Sequence, residues 1–135
     1  MRFPIKISHN FLLEPVLHTF GVNAETSWVE VGETTLEVSM GRWFHEVIPL
    51  SAVASVAPSE WPWWGGLGVK LAHHGVGVVG STDGVVNIAF KAPVKAHVIA
   101  VVEAQQLWIS VEDHEAFLKA LAAKTGLAVS PFAKF

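Results

Sequence analysis

Residues 27–40 read SWVEVGETTLEVSM: two short runs that alternate apolar and polar positions around a Gly-Glu-Thr turn. In an extended chain successive side chains point to opposite faces. Leu36, Val38 and Met40 therefore share one face, and Glu37 and Ser39 the other. The pattern predicts a β-hairpin with one buried face, and it excludes a helix over this stretch, whose period would scatter those side chains around the axis.

The same period of two recurs along most of the chain. Trp43 to Pro49 sets Phe44 and Ile48 on one side and Trp43, His45 and Val47 on the other. Pro49 has no N–H to donate and is expected to interrupt pairing before the extended segment 50–57. Gly68 to Ala72, a His73-His74-Gly75 turn and Val76 to Gly80 predict a second hairpin. Ser81-Thr82-Asp83-Gly84 then turns into Val85 to Phe90, with Val86, Ile88 and Phe90 facing inward. Lys91 to Lys95 contains Pro93 and reads as a loop; His97 to Val102 fits a strand or a short helix equally. Leu107 to Val111 returns to alternation, with Leu107, Ile109 and Val111 on one face.

One helix follows, expected over about 111–124. Ser110 is placed as its N-cap, and Glu112, Asp113 and Glu115 bring negative charge to the positive end of the helix dipole. Phe117, Leu118, Leu121 and Ala122 form its apolar stripe, and Gly126 supplies the left-handed stop. The chain divides into an N-terminal extension (1–20) expected to pack on the domain that follows, the domain itself (21–126) and a tail (127–135), whose last stretch, SPFAKF, reads as loosely held.

Composition narrows the function classes. Hydrophobic residues make up 51% of the 135 and charged residues only 16%, against the quarter usual for soluble domains. That excess of apolar residues favours a face for self-association or for another protein. The net charge is −3 and the nine Lys and Arg are scattered, so neither nucleic acid nor a strongly anionic membrane is an expected partner. Cysteine is absent, which removes disulfides, thiolate nucleophiles and Cys-ligated zinc. The apolar run Phe11-Leu12-Leu13 is too short for a signal peptide, and no stretch approaches a membrane span; a cytoplasmic protein is expected.

Strands closed by a final helix resemble a pleckstrin-homology-like (PH-like) barrel. The expected fold is mainly β (α+β): a curved antiparallel barrel of about seven strands capped by one C-terminal helix. More closely, GVNAETSWVEVGETTLEVSMGRWFHEVIPLSAVASV resembles the first half of a group of uncharacterised bacterial proteins. Those proteins open on a hairpin, then Gly-x-Trp, then a PL-x-x-V turn. GVVNIAFKAPV and LWISVEDHEAFLKAL are similar to that group's later segments, and the likeness spans about 21–121. The group implies no activity, so no catalytic residue is carried over. Phosphoinositide-binding PH domains cluster Lys and Arg in the first loop; here Gly32-Glu33-Thr34 is acidic, and lipid binding is not implied.

The densest stretch is EWPWWGGLGVKLAHHGVGVVG, residues 60–80. His73 and His74 are weak candidates for adventitious metal only, since neighbours in a strand diverge and no HExxH motif occurs. No GxSxG elbow accompanies the serines, and GGLG and GVGVVG lack the Lys-Ser/Thr of a phosphate-binding loop. Gly65 and Gly66 suit a chain reversal, and Gly75, Gly77 and Gly80 suit curvature at a barrel corner. Trp61, Trp63 and Trp64 cannot all point inward: some plug the core and the rest reach a rim beside Trp43 or Trp28. Trp61, Trp63, Trp64 and Trp43 are thus the ligand or interface candidates. No catalytic residue and no cofactor are assigned.

Three functions follow. The first is a noncatalytic protein-interaction or scaffold module that self-associates. The second is a barrel binding a small apolar ligand in a tryptophan-lined pocket. The third, with least in its favour, is a hydrolase- or isomerase-like enzyme.

Overall fold

The alternating segments form strands in two sheets in the computed structural model, which describes residues 1–7, 26–41, 44–62, 68–98 and 100–135. The first sheet holds β1 (Arg2–Pro4), β2 (Trp28–Val31), β3 (Thr35–Met40) and β4 (Phe44–Pro49), antiparallel and in chain order. The second holds β5 (Val53–Pro58), β6 (Gly68–Ala72), β7 (Gly75–Val79), β8 (Val85–Val98) and β9 (Ala100–Ser110), in the order β5-β8-β9-β7-β6. A helix, α1 (His114–Thr125), follows the strands. The chain is mainly β with a single helix after the strands, as the alternation predicts. In place of one curved antiparallel barrel there are two sheets, β7 and β9 run parallel, and no closed barrel forms among the described residues.

The predicted faces carry the core. Val29, Val31, Leu36, Val38, Met40, Phe44 and Ile48 all point inward from the first sheet and are buried. They meet Val76, Val78, Val86, Ile88, Leu107 and Ile109 of the second sheet and Phe117, Leu118 and Leu121 of α1 in one continuous cluster. On the solvent side of the first sheet Glu30 stands opposite Glu37, a like-charge pairing that is unfavourable alone. Arg2 lies 3.4 Å from Glu30 and stacks 3.8 Å from the Trp28 ring centre, while His45 Nε2 shares a 2.6 Å hydrogen bond with Glu37.

The segment after β1 joins the two sheets. Past β1 the chain continues to Ile5 and Ile7, which bridge to Val111 and Gly80 in the second sheet's territory. Ser110, fully buried, fastens this crossing: its hydroxyl donates to the Lys6 carbonyl at 2.8 Å and accepts from Gly80 N–H at 2.9 Å. Ser110 is therefore not the helix cap. It still belongs to β9, paired with Val85, and the helix begins later. Asp113 caps it instead, its carboxylate accepting from Ala116 N–H at 3.2 Å, and Gly126 (φ 74°) ends it in the left-handed region.

Lys91–Lys95 is not a loop. β8 runs unbroken through it, and Pro93 is accommodated because the β8–β9 register shifts between Ala89 and Val94, where no ladder donor is required of it. The stretch that fits strand or helix is strand: Lys95–Glu103 through Val98–Ala100 are antiparallel partners. This arm crosses to β4, where inward-facing Glu46 accepts from His97 N–H at 2.6 Å.

The tail is not loosely held either. Residues 127–135 run parallel to β5, bridging Val56 to Val129 and Ser59 to Ala133. Ser130 and Ala133 donate N–H groups to the carbonyls of Val56 and Pro58, and Glu60 N–H bonds the Ala133 carbonyl. Edge groups that a short β5 leaves over supply these partners.

Candidate functional site

β7, inside the second sheet, is buried on both faces, and the face turned away from the main core carries the site. Register aligns Asn87 of β8, Trp108 of β9, Gly77 of β7 and Lys70 of β6 in one row across that face. Gln106 and Gly75 stand side by side in a neighbouring row. Gly75 and Gly77 are consecutive positions on the face, so β7 offers bare backbone there. A Cβ on Gly75 would stand 2.7 Å from the Trp108 ring and 2.5 Å from the Gln106 carbonyl; one on Gly77 would stand 2.5 Å from the Trp61 ring. These glycines do not mark a barrel corner. They let two indoles approach the bare backbone of β7, and Gly80 makes room for the crossing at Lys6–Ile7.

Trp61 and Trp108 are buried with Val79 and Val85 as a second cluster, separate from the main core. Their rings are 5.8 Å apart, and Phe135 closes over both, at 5.2 Å from Trp61 and 5.5 Å from Trp108. His73 sits 4.5 Å from Phe135 on the open side. Both His73 (φ 45°) and His74 (φ 58°) adopt positive φ, as a two-residue type I′ turn between Ala72 and Gly75 requires. That conformation is unfavourable for residues with a Cβ. The turn is secured from β9: Gln106 Nε2 donates to the His73 carbonyl at 2.9 Å, and Gln105 N–H to that of His74 at 2.7 Å.

Beside this cluster lies an open cleft of about 220 Å³ lined by both turn and tail. Asn87, Gln106 and Ser59 give its floor polar groups, Trp108, Phe135 and His73 form its aromatic wall, and Lys134 stands at the edge. Asn87 Nδ2 donates to Gln106 Oε1 at 3.1 Å, so the two amides and the His73 carbonyl form one directed chain. Such a chain fixes which way each amide faces. It leaves the Asn87 carbonyl oxygen and one N–H on each amide for a further partner. Among the described residues no group of three or more His, Asp or Glu side chains is arranged to hold a metal ion.

Of the residues singled out in the sequence, Trp61 takes the plug position at 3% exposure, and His73 lines the cleft. His74 occupies the turn with its side chain exposed. Trp43, Trp63 and Trp64, with Gly65 and Gly66, lie outside the described residues. Asn87, Gln106, Trp108 and Phe135 were not anticipated. Trp108 did leave a signal: in LWISV it falls on the face opposite Leu107 and Ile109, where a solvated strand would carry a polar residue. Glycines two apart on a neighbouring strand are the matching half of that signal. No helix among the described residues is long and apolar enough to cross a membrane. No known family, curated protein or solved structure matches the chain.

Proposed function

We propose that the chain is a noncatalytic binding module whose ligand site is the cleft between the His73-His74 turn and the tail. The observation that carries this reading is the amide chain Asn87–Gln106–His73 set against an aromatic wall. An aromatic wall takes a flat or apolar ligand face, and oriented amides take the polar edge. The cleft's 220 Å³ falls below the roughly 300–1,000 Å³ of pockets for drug-sized molecules, which favours a ligand of one or two rings. Its floor is made of neutral amides and a hydroxyl, a set suited to recognition rather than to proton transfer. The ligand differs from the apolar one expected of a tryptophan-lined pocket, because among the described residues Trp108 is the one indole that borders the cleft, beside two amides and a hydroxyl, while Trp61 is buried under Phe135.

The pleckstrin-homology-like reading belongs to the same proposal: the order of elements, strands first and one helix last, supports it, while the parallel β7–β9 pair departs from it. Titration with nucleosides, monosaccharides and aromatic amino acids, followed by tryptophan fluorescence, tests the site. A saturable shift that weakens at least about tenfold in Asn87→Ala and Gln106→Ala is expected, the loss of one or two good hydrogen bonds. A shift of unchanged midpoint in both variants would sink the assignment.

A further inference from the structure

One backbone carbonyl fixes which way every amide atom on the cleft floor faces. The His73 carbonyl only accepts, so Gln106 turns Nε2 towards it, at 2.9 Å. That leaves Gln106 Oε1 towards Asn87, and the Asn87 amide must present Nδ2 to it, at 3.1 Å. The assignment of oxygen and nitrogen in both side chains thus follows from the hydrogen-bond chain itself.

β9 lies between β8 and β7, so Asn87 meets the Gln106 amide from one side and the His73 turn meets it from the other. Both lateral positions of that amide are filled. Its far end remains, an oxygen lone pair beside an N–H, and it borders the cleft. Asn87, next along the chain of bonds, keeps its second N–H. From Asn87 towards the turn the floor therefore offers a donor, an acceptor and a donor: Asn87 N–H, Gln106 Oε1 and Gln106 N–H.

We propose that the cleft selects a planar ring with an imide edge (carbonyl, N–H, carbonyl), the edge that uracil and thymine carry. This inference rests on the cleft being a ligand site and names the class of ligand it takes. The two imide carbonyls accept from the amide N–H groups, and the imide N–H donates to Gln106 Oε1. Other bases match the row less well. Adenine brings one donor beside one acceptor and leaves a floor N–H without a partner. Cytosine sets its ring nitrogen, an acceptor, against Gln106 Oε1 or, shifted by one group, also leaves an N–H unpaired. A polar group left unpaired inside a site lowers affinity far more than a lost apolar contact does.

The walls suit the same ligand. Trp108, Phe135 and His73 supply aromatic surface beside the floor, and bases stack on such rings. A volume of about 220 Å³ favours a small ring system. A monosaccharide has rotating hydroxyls in place of a rigid edge, and the phenylalanine ring has no polar edge at all. Lys134 is the one lysine or arginine among the described residues that line the cleft. The ligand is accordingly a free base or its nucleoside, since a nucleic acid strand needs a track of cations.

Tryptophan fluorescence of the full-length protein, titrated with uridine, N3-methyluridine and cytidine, tests the edge. N3-methyluridine keeps the ring and both carbonyls and replaces the central N–H with a methyl group. Uridine is expected to give a saturable change, and the other two to bind at least about tenfold more weakly. Gln106→Glu exchanges the N–H for an acceptor at nearly constant size and should weaken uridine by a similar factor. Equal midpoints for uridine and N3-methyluridine, or an unchanged uridine midpoint in Gln106→Glu, overturn the imide edge and leave the cleft as a binding site. Binding of a monosaccharide or an aromatic amino acid without uridine does the same. Silence towards all of these probes overturns the imide edge and the cleft reading together. The ligand series needs no substitution, so it decides the matter even if Gln106→Glu fails to fold.

Discussion

Gly77 lies under the indole of Trp61, so close that a Cβ there would stand 2.5 Å from the ring's Cη2 atom. Trp61 is 3% exposed and packed by Trp108 and Phe135, so the ring has nowhere to move. Gly77→Ala is therefore expected to destabilise the protein by about 1–3 kcal/mol, the usual range for overpacking. Urea unfolding measures the loss. Near-ultraviolet circular dichroism should change as well, because the indole tilts, while far-ultraviolet circular dichroism stays the same. An unchanged midpoint and spectrum would mean that the ring is not seated on β7.

Much of the first sheet was legible because its two faces meet different media. Leu36, Val38 and Met40 alternate with Thr35, Glu37 and Ser39, and one buried face suffices to fix that register. β7, inside the second sheet, is buried on both faces, so it reads GVGVV with no polar alternation to follow. Its glycines then look like curvature, when they are seats for rings contributed by distant residues. The helix start was misplaced because both Ser110 and Asp113 are competent caps, and only the crossing at Lys6 assigns the serine elsewhere. The course of the tail 127–135 is hard to read, because it follows backbone groups of β5, which any sequence possesses, and ends where Phe135 meets rings from distant parts of the chain.

The His73-His74 turn stores strain that a glycine relieves. With φ at 58°, His74 sits in a region that costs a residue with a Cβ on the order of 1 kcal/mol, partly offset because glycine gains freedom in the unfolded chain. His74→Gly is expected to stabilise the protein by about 0.5 kcal/mol. His73→Gly relieves the same conformation but removes the ring 4.5 Å from Phe135, so it should bring no gain. Comparing the two urea midpoints checks this; equal gains would show that the His73 ring contributes nothing.

Lys124, in the last turn of α1, reaches the first hairpin. Its Nζ lies 2.9 Å from Glu33 Oε1, and that hydrogen bond, with the charge behind it, holds the Glu33 carboxyl below its ordinary value of 4.5. A folded-state value below the unfolded one means that the unfolded chain binds more protons in acid. The contribution is thus complete above about pH 4.5 and disappears as pH falls through the depressed folded value. The pair is solvent-exposed, so added salt should weaken it. NMR titration of Glu33 is expected to give a lower midpoint in the parent than in Lys124→Ala. Identical midpoints would dissolve the link between helix and hairpin.

Glu46 ties the β8–β9 arm to the first sheet. It occupies an inward position on β4 between Phe44 and Ile48, and its Oε1 accepts from His97 N–H at 2.6 Å and meets His97 Nδ1 at 2.7 Å. The two contacts differ in environment. The Glu46 side chain is 10% exposed and the His97 side chain 69%, so the ring can turn to water while the carboxylate cannot. Glu46→Ala leaves the His97 N–H without its acceptor and opens a gap on the inward face, a loss of about 2–3 kcal/mol. Glu46→Gln keeps an acceptor oxygen and should lose less. His97→Ala retains the backbone bond and should lose under about 1 kcal/mol, as exposed polar pairs do. Urea unfolding ranks the three, and hydrogen exchange at the residue 97 amide separates mechanism from bulk stability. That amide should exchange faster in Glu46→Ala, even when measured at matched global stability, and remain protected in Glu46→Gln. Equal losses for Glu46→Ala and His97→Ala would place the link in the imidazole and remove the backbone bond from the account.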